Sequence, residues 1–340
     1  MKKVVSVLIC VVIVLQFCSC VPAGDTKVTE NITAMNTVMQ ITVFNTSKGT
    51  AQEVAEKMIQ RIKEIEKLFD ANLSDSDTSR INSAVTELTV NDETAELLNT
   101  AKKTSETTGG AFDITIMPVL KLWGFNDGNY GVADDETIKD FLEFVDYKNI
   151  SVAGNKVTKN INTQISLGGI AKGYLGDELL KIAEEYGATA LLSLGGNIVL
   201  CGNKSESEKW TVGIKNPNDT ENIACSFECD GNKSVVTSGA YERYFEYGGK
   251  TYHHIIDPKT GYPAKSDLLS VTVIGENGAF CDAFSTALFV MGKEKSVAFA
   301  KEHNEFDFIL ITENSEILIT DGVIGIEAEN ENLTVKSIQR

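Results

Sequence analysis

Two of the chain's three histidines stand side by side in YHHIIDPKTGYP, residues 252–263, just ahead of an Asp-Pro turn and a Thr-Gly-x-Pro turn. Shortly after, CDAFST sets Asp282, Ser285 and Thr286 at i, i+3 and i+4. If residues 279–291, AFCDAFSTALFVM, are helical, these three oxygen-bearing side chains share one face. A carboxylate and hydroxyls on one face suit a small hard cation such as Mg²⁺, which keeps few protein ligands and lets substrate phosphates supply the rest. The spacing also admits a plainer reading, in which Asp282 is an N-cap and the two hydroxyls are ordinary helix residues.

Four further segments carry residues that packing alone does not demand. TGGAFDIT, residues 108–115, offers paired glycines that permit positive φ and a carboxylate at Asp113, and it reads equally as a helix C-cap with a loop. SLGGIAKGY, residues 166–174, is a glycine turn feeding a helix, where backbone N–H groups and Lys172 can meet phosphate. It has neither P-loop nor dinucleotide-fingerprint spacing. LGGN, residues 194–197, is compatible with a hairpin turn. VTSGAYER, residues 236–243, lacks the Gly-x-Ser-x-Gly elbow of a nucleophilic serine, so Ser238 is read as a hydrogen-bonding hydroxyl.

These segments must be held by regular structure. VMQITVFN (38–45) alternates as a strand, and residues 50–69 place Val54, Met58, Ile62, Ile65 and Phe69 at helical spacing. LSDSDTSRIN (73–82) reads as a polar loop before a second helical stretch, and residues 92–107 as a third helix stopped by Gly109 and Gly110. PVLKLWGF and residues 136–145 predict short helices, and residues 166–185 a glycine turn with a helix. From Ala190 short strands dominate, and FDFILIT, EILIT and NLTVKSI predict a closing meander. The fold class is therefore α+β: a mostly antiparallel sheet with helices packed on it, not a doubly wound parallel sheet. No linker after residue 30 and no 20–50-residue repeat divides the chain.

The N-terminus pairs Lys2 and Lys3 with an apolar run, residues 4–17, shorter than the roughly 20 residues of a membrane span. With Ser19 before Cys20 it resembles a bacterial lipoprotein signal. The expectation is a signal peptide over 1–19, a lipidated Cys20 with a polar tether over 20–33, and a catalytic domain over 34–340. The protein would then sit on the extracytoplasmic face of the cell membrane, held only by its N-terminal lipid. A formal charge of −17 excludes a general nucleic-acid binder and a basic membrane-binding face. Of the seven cysteines, Cys201, Cys225, Cys229 and Cys281 fall within the domain, and none has zinc-pair spacing. Whether Cys225 and Cys229 pair with each other or with Cys201 is open.

TGGAFDITIMPVLKLWGF, ISLGGIAKGYLGD, LSLGGNI, TSGAYERYFEYGGKTYHHIIDPKTGYP and LSVTVIGENGAFCDAFSTALFVMG, in that order, resemble the ApbE family of FAD:protein FMN transferases. AMNT, residues 34–37, resembles the family's opening Met-Gly-Thr, with Asn36 in the glycine's place. The resemblance runs from about Met35 to Gly292. It implies a compact bilobal, T-fold-related architecture. It further implies a Mg²⁺-dependent reaction that cleaves FAD, joins FMN by a phosphoester bond to Thr or Ser of an exported acceptor protein, and releases AMP. By the same resemblance the metal falls to the carbonyl of Ala171 and to Asp282 and Thr286, with Ser285 a further contributor. FAD falls to Met35, Asn72, Ala111, Phe112, Asp113, Gly168, Lys172 and Ile256. His254 is the implied base or acceptor activator, a role that an imidazole suits near neutral pH. Asp282 shares the catalytic set through the metal. His253 is read as structural or surface, and Asp257 as ordering its turn. Ser166 stands where many members carry Asp. Two other readings remain at this point: an FAD pyrophosphatase giving FMN and AMP, and a lipoprotein that holds FAD without turning it over.

Overall fold

The computed structural model describes residues 27–44, 46–204 and 208–340; the expected signal and Cys20 lie outside these residues. The chain enters through Val28–Ala34, which pairs residue for residue with Thr37–Phe44, from Val28 opposite Val43 to Ala34 opposite Thr37. Residues 28–33, expected in a polar tether, are therefore a strand. Val28, Glu30, Ile32 and Ala34 turn inward while Thr29, Asn31 and Thr33 are exposed. An edge strand needs only one weakly apolar face, so its polar composition hid it. The joining turn is Met35-Asn36, with φ of 49° and 59°. Two left-handed residues make the primed two-residue turn whose twist matches a hairpin, and after Gly, Asn is among the residues that best tolerate this conformation.

A nine-stranded sheet continues from this hairpin in the order Val28–Ala34, Thr37–Phe44, Thr189–Ser193, Asn197–Cys201, Lys233–Gly239, Leu268–Gly275, Asp307–Thr312, Glu316–Thr320 and Thr334–Ile338. Each neighbouring pair is antiparallel except the last. The expected closing meander is thus corrected. The chain leaves after Glu316–Thr320, adds Ile324–Ala328 to a separate sheet, and returns so that Thr334–Ile338 runs parallel to Glu316–Thr320.

The helices are α1 (Lys48–Phe69), α2 (Asp77–Ser83), α3 (Asp92–Thr107), α4 (Met117–Leu122), α5 (Asp135–Leu142), α6 (Ala171–Glu185) and α7 (Gly278–Glu302). The loop expected over 73–82 is helical from Asp77. Ser76 caps it by accepting from the Ser79 amide, and the buried Asp77 accepts from Asn91 N and Thr94 Oγ1. α7 is interrupted at Gly292, where φ is 77° and ψ 174°.

Helices α1 and α6 cover one face of the sheet, with Met58, Ile62, Leu175 and Leu179 packed against Met39, Ile41 and Leu192. α7 extends that layer, placing Phe284 and Leu288 against Val271 and Val273. The opposite face is covered by the three-stranded sheet of Trp210–Asn216, Asp219–Cys229 and Ile324–Ala328, whose Trp210 and Phe227 meet Leu200, Ile274 and Ile309. A smaller apolar core gathers Val119, Trp123, Phe125, Ile138 and Ile256 beside the sheet's two layers. Cys201, Cys225, Cys229 and Cys281 are buried free thiols, so neither disulfide left open by the sequence is formed. Burial pushes Cys229 up to about 11 and Cys225 to about 12, with Glu329 adding to the latter.

Candidate active site at the crossing of two helices

Helix α7 is capped by Asn277, whose Oδ1 accepts from the Phe280 amide at 2.9 Å. Asp282 therefore lies inside the helix and is not its cap. Its carboxylate, 3% exposed, reaches across to α6 and accepts from Gly173 N at 2.9 Å. The first turn of α6 has no side-chain cap of its own, because Ile170 stands at the cap position. An anion at a helix N-terminus is favoured by the free amides and the helix dipole. The approach requires glycine: a Cβ at Gly173 would lie 2.1 Å from the Gly278 carbonyl oxygen and 2.7 Å from Asp282 Cβ.

One turn along α7, Thr286 faces the glycine turn that precedes α6. A Cβ on Gly169 would meet the Phe112 ring at 3.1 Å and Thr286 Oγ1 at 3.6 Å, so these three residues lie against one another. Ser285 turns toward the sheet. Its fully buried hydroxyl donates to the Asp282 carbonyl at 2.8 Å and lies 2.7 Å from Ser238 Oγ, which is also 3.3 Å from Thr286 Oγ1. Ser238 is thus a strand residue bracing α7. Among the described residues no three His, Cys, Asp or Glu converge as a metal cluster. The oxygens available are one carboxylate, one hydroxyl and the backbone at the start of α6. Such hard, sparse donors fit Mg²⁺, which keeps much of its water or substrate shell, better than a metal needing a full protein cage.

The loop carrying Phe112 is fixed by its own polar groups. Gly109 and Gly110, at φ of 60° and 78°, end α3, with Gly110 N bonded to Ser105 O at 2.8 Å. Asp113, 7% exposed, accepts from Thr115 N, Thr115 Oγ1 and Tyr147 N at 2.8, 2.6 and 2.8 Å. Burial raises its pKa against these bonds. Its carboxylate therefore orders the loop that presents Ala111 and Phe112. Ser166 N donates to Ile114 O at 2.7 Å, and a parallel bridge joins Ile116 to Gln164, tying this loop to the glycine turn. Ser166 Oγ faces the exposed Gly168 amide at 3.4 Å, so the hydroxyl braces the glycine turn.

His254 follows the hairpin of Tyr244–Tyr247 and Lys250–His253. Its amide and its Nδ1 both point at the Arg243 carbonyl oxygen, at 3.0 and 3.1 Å. A carbonyl only accepts, so Nδ1 carries the proton and Nε2 keeps a free lone pair. Desolvation of the half-buried ring pushes the imidazole down to about 3, and the Arg243 guanidinium and, more weakly, Lys172 add to this. Arg243 is itself anchored through Nη2 to the Phe125 carbonyl at 2.5 Å. His253 turns away, with Nε2 3.1 Å from Ala264 O and its ring edge-on to Phe289, in keeping with a structural role. Asp257 accepts from the Lys259, Thr260 and Gly261 amides and orders its turn.

The remaining candidates divide. Met35 is held at the hairpin turn by the hydrogen bond its backbone N–H donates to Glu66 Oε1, 2.6 Å. Ile256 is 6% exposed within the Trp123 core, behind the histidine turn. Asn72 lies on the exposed loop after α1, with its amide and side chain both donating to Asp70 Oδ1. Asp177, Arg243 and the Gly173–Gly278 contact join the site only through the fold. Small residues at 173, 176 and 278 were the available signal of a close helix crossing.

Residues 35–310 match the model of the ApbE family. A protein of Treponema pallidum named FAD:protein FMN transferase is 31% identical over 345 residues, covering 94% of each chain. One of the same name from Klebsiella pneumoniae is 34% identical over 278 residues, 79% of this chain and 85% of its own. The crystal structure of the ApbE protein of Thermotoga maritima superposes with a TM-score of 0.80 at 32% identity, over 89% of this chain and 97% of that one. The apo flavinyl transferase ApbE of Pseudomonas stutzeri gives 0.75 at 28% identity, over 85% and 92%.

Proposed function

The chain belongs to the ApbE family, and on that premise we propose that it is an FAD:protein FMN transferase acting on an exported acceptor protein. The observation that carries this reading is the meeting of Asp282, Gly173, Thr286 and Phe112 where α6 and α7 cross. In the reaction the acceptor's Thr or Ser hydroxyl oxygen bonds to the FMN phosphorus. The bond from that phosphorus to the bridging oxygen breaks, and AMP leaves with the oxygen. Nε2 of His254 would take the hydroxyl proton once the bound pyrophosphate's negative charge offsets the Arg243 guanidinium and raises the ring's basicity, and the Arg243 carbonyl holds the ring in the tautomer that can accept it. Mg²⁺, held by the Ala171 carbonyl, the Asp282 carboxylate and the Thr286 hydroxyl, would supply positive charge against the pyrophosphate oxygens. Phe112 and Ala111 give FAD an apolar wall, and Lys172 with the Gly168 amide answers its phosphates.

The test incubates the protein lacking residues 1–20 with FAD, Mg²⁺ and candidate acceptors and measures acceptor mass. A gain of one FMN, lost on chelation and in His254→Ala, supports the transferase. AMP and free FMN with no mass gain across several acceptors would make it a pyrophosphatase. Bound FAD without any AMP would make it a flavin carrier.

We also propose that Cys20 is lipidated and anchors the domain outside the cytoplasm, a reading supported by the apolar run at 4–17 and the Ser19-Cys20 pair. Among the described residues no helix is long and apolar enough to cross a membrane. Labelling with a fatty-acid analogue should mark the wild type and not Cys20→Ala, which should leave the membrane fraction. An unlabelled wild type counts against the anchor.

A further inference from the structure

The contact between Asp282 and Gly173 has a counterpart in the opposite direction. On α6, Asp177 accepts from the first two amides of α7: Gly278 N at 2.6 Å and Ala279 N at 3.0 Å. Each helix thus supplies a carboxylate to the free amides of the other. The spacing is the same on both. Gly173 precedes Asp177 by four residues in GYLGD, and Gly278 precedes Asp282 by four in GAFCD. The glycines meet at the centre, where a Cβ on Gly278 would lie 2.6 Å from the Gly173 carbonyl oxygen and 2.8 Å from Asp177 Oδ1. The result is a clasp with approximate two-fold character, built from two Gly-x-x-x-Asp segments.

Only one half of the clasp faces the candidate site. Asp282 lies beside Thr286 and the start of α6, where the Ala171 carbonyl stands. Asp177 lies at the other end, under the first turn of α7. Helix position along its axis is fixed by such terminal bonds as well as by packing, and a shift of one helix against the other would separate the Ala171 carbonyl from Asp282 and Thr286.

We propose that Asp177 is a positioning residue for the metal site: by capping α7 it sets the register of α7 on α6 and so holds Asp282 and Thr286 opposite Ala171. The proposal rests on the reading that these three residues bind the divalent cation. Residues that orient metal ligands typically change affinity about 10- to 100-fold when removed.

The experiment titrates the protein lacking residues 1–20 with Mn²⁺ alone, without FAD, and follows free Mn²⁺ by its electron paramagnetic resonance signal. Circular dichroism and a thermal melt accompany each variant. Asp282→Ala should abolish the site. Asp177→Ala should weaken Mn²⁺ about tenfold while the protein is folded, and Asp177→Asn, which keeps one acceptor for an amide, should recover most of that loss. If Asp177→Ala does not fold, Asp177→Glu serves instead. It keeps the charge, displaces the oxygens by one methylene, and should weaken Mn²⁺ several-fold. Wild-type affinity in a folded Asp177→Ala or Asp177→Glu, with Asp282→Ala dead, overturns the positioning role and leaves the metal reading standing. Wild-type binding that Asp282→Ala does not affect overturns both.

Discussion

Arg243 presents one carbonyl oxygen to both the amide and the Nδ1 of His254, at 3.0 and 3.1 Å. The backbone therefore fixes ring orientation and tautomer together, and no neighbouring carboxylate is used for either. Protonation would add charge to a ring that burial and the Arg243 guanidinium already keep neutral.

The pH dependence follows from that sign. Because the folded imidazole lies well below the ordinary 6.5, transfer should show no acid limb near pH 6.5, and kcat/KM should stay level between pH 5 and 8. In the unfolded chain the ring titrates normally, so its stabilising contribution is complete above pH 6.5 and declines as pH falls toward the folded value. Urea midpoints at pH 7 and pH 5 should differ less in His254→Ala than in wild type. A limb at 6.5 that disappears in His254→Ala would mean that the half-buried ring titrates normally and that its surroundings do not lower its pKa.

Asp282→Asn keeps an oxygen to accept from Gly173 N, so its thermal midpoint should stay close to wild type. It removes the buried charge on the Thr286 side of the crossing, and transfer should fall on the order of a hundredfold. Melting curves and acceptor mass measured together separate the two effects.

Gly173→Ala places a methyl group 2.1 Å from the Gly278 carbonyl, and backbone cannot move aside as a side chain can. Urea unfolding should register a loss of about 3 kcal/mol. Gly49→Ala, near the start of α1 with nothing within 4 Å, should be neutral or slightly stabilising.

Asn36→Gly should leave stability within about 0.5 kcal/mol, since both residues accept the left-handed turn. Asn36→Val should cost about 1–2 kcal/mol, because a β-branched side chain resists positive φ. The same urea assay reads both.

Much of this organisation was legible in the chain. The limits of α3 follow from Asn91 and Asp92 at its start and the glycine pair at its end, and the Asp282 face follows from helical spacing. Illegible were features fixed by contacts distant in sequence. Asp177 acquires its role only when the first turn of α7, about a hundred residues later, is packed over it. The return of Thr334–Ile338 as a parallel strand depends on where Ile324–Ala328 finds its partner. Val28–Ala34 was missed because its apolar residues are sparse, and the register with Thr37–Phe44 comes from a turn whose left-handed pair is Met-Asn in place of the usual glycine-containing sequence.

The four domain thiols bear on where this protein can be made. Each is buried and unpaired, and burial of a thiol disfavours the thiolate that exchange chemistry requires. The fold is therefore indifferent to redox poise. It needs no oxidant to mature and no reductant to survive, so material folded in an oxidising or in a reducing compartment should be the same molecule.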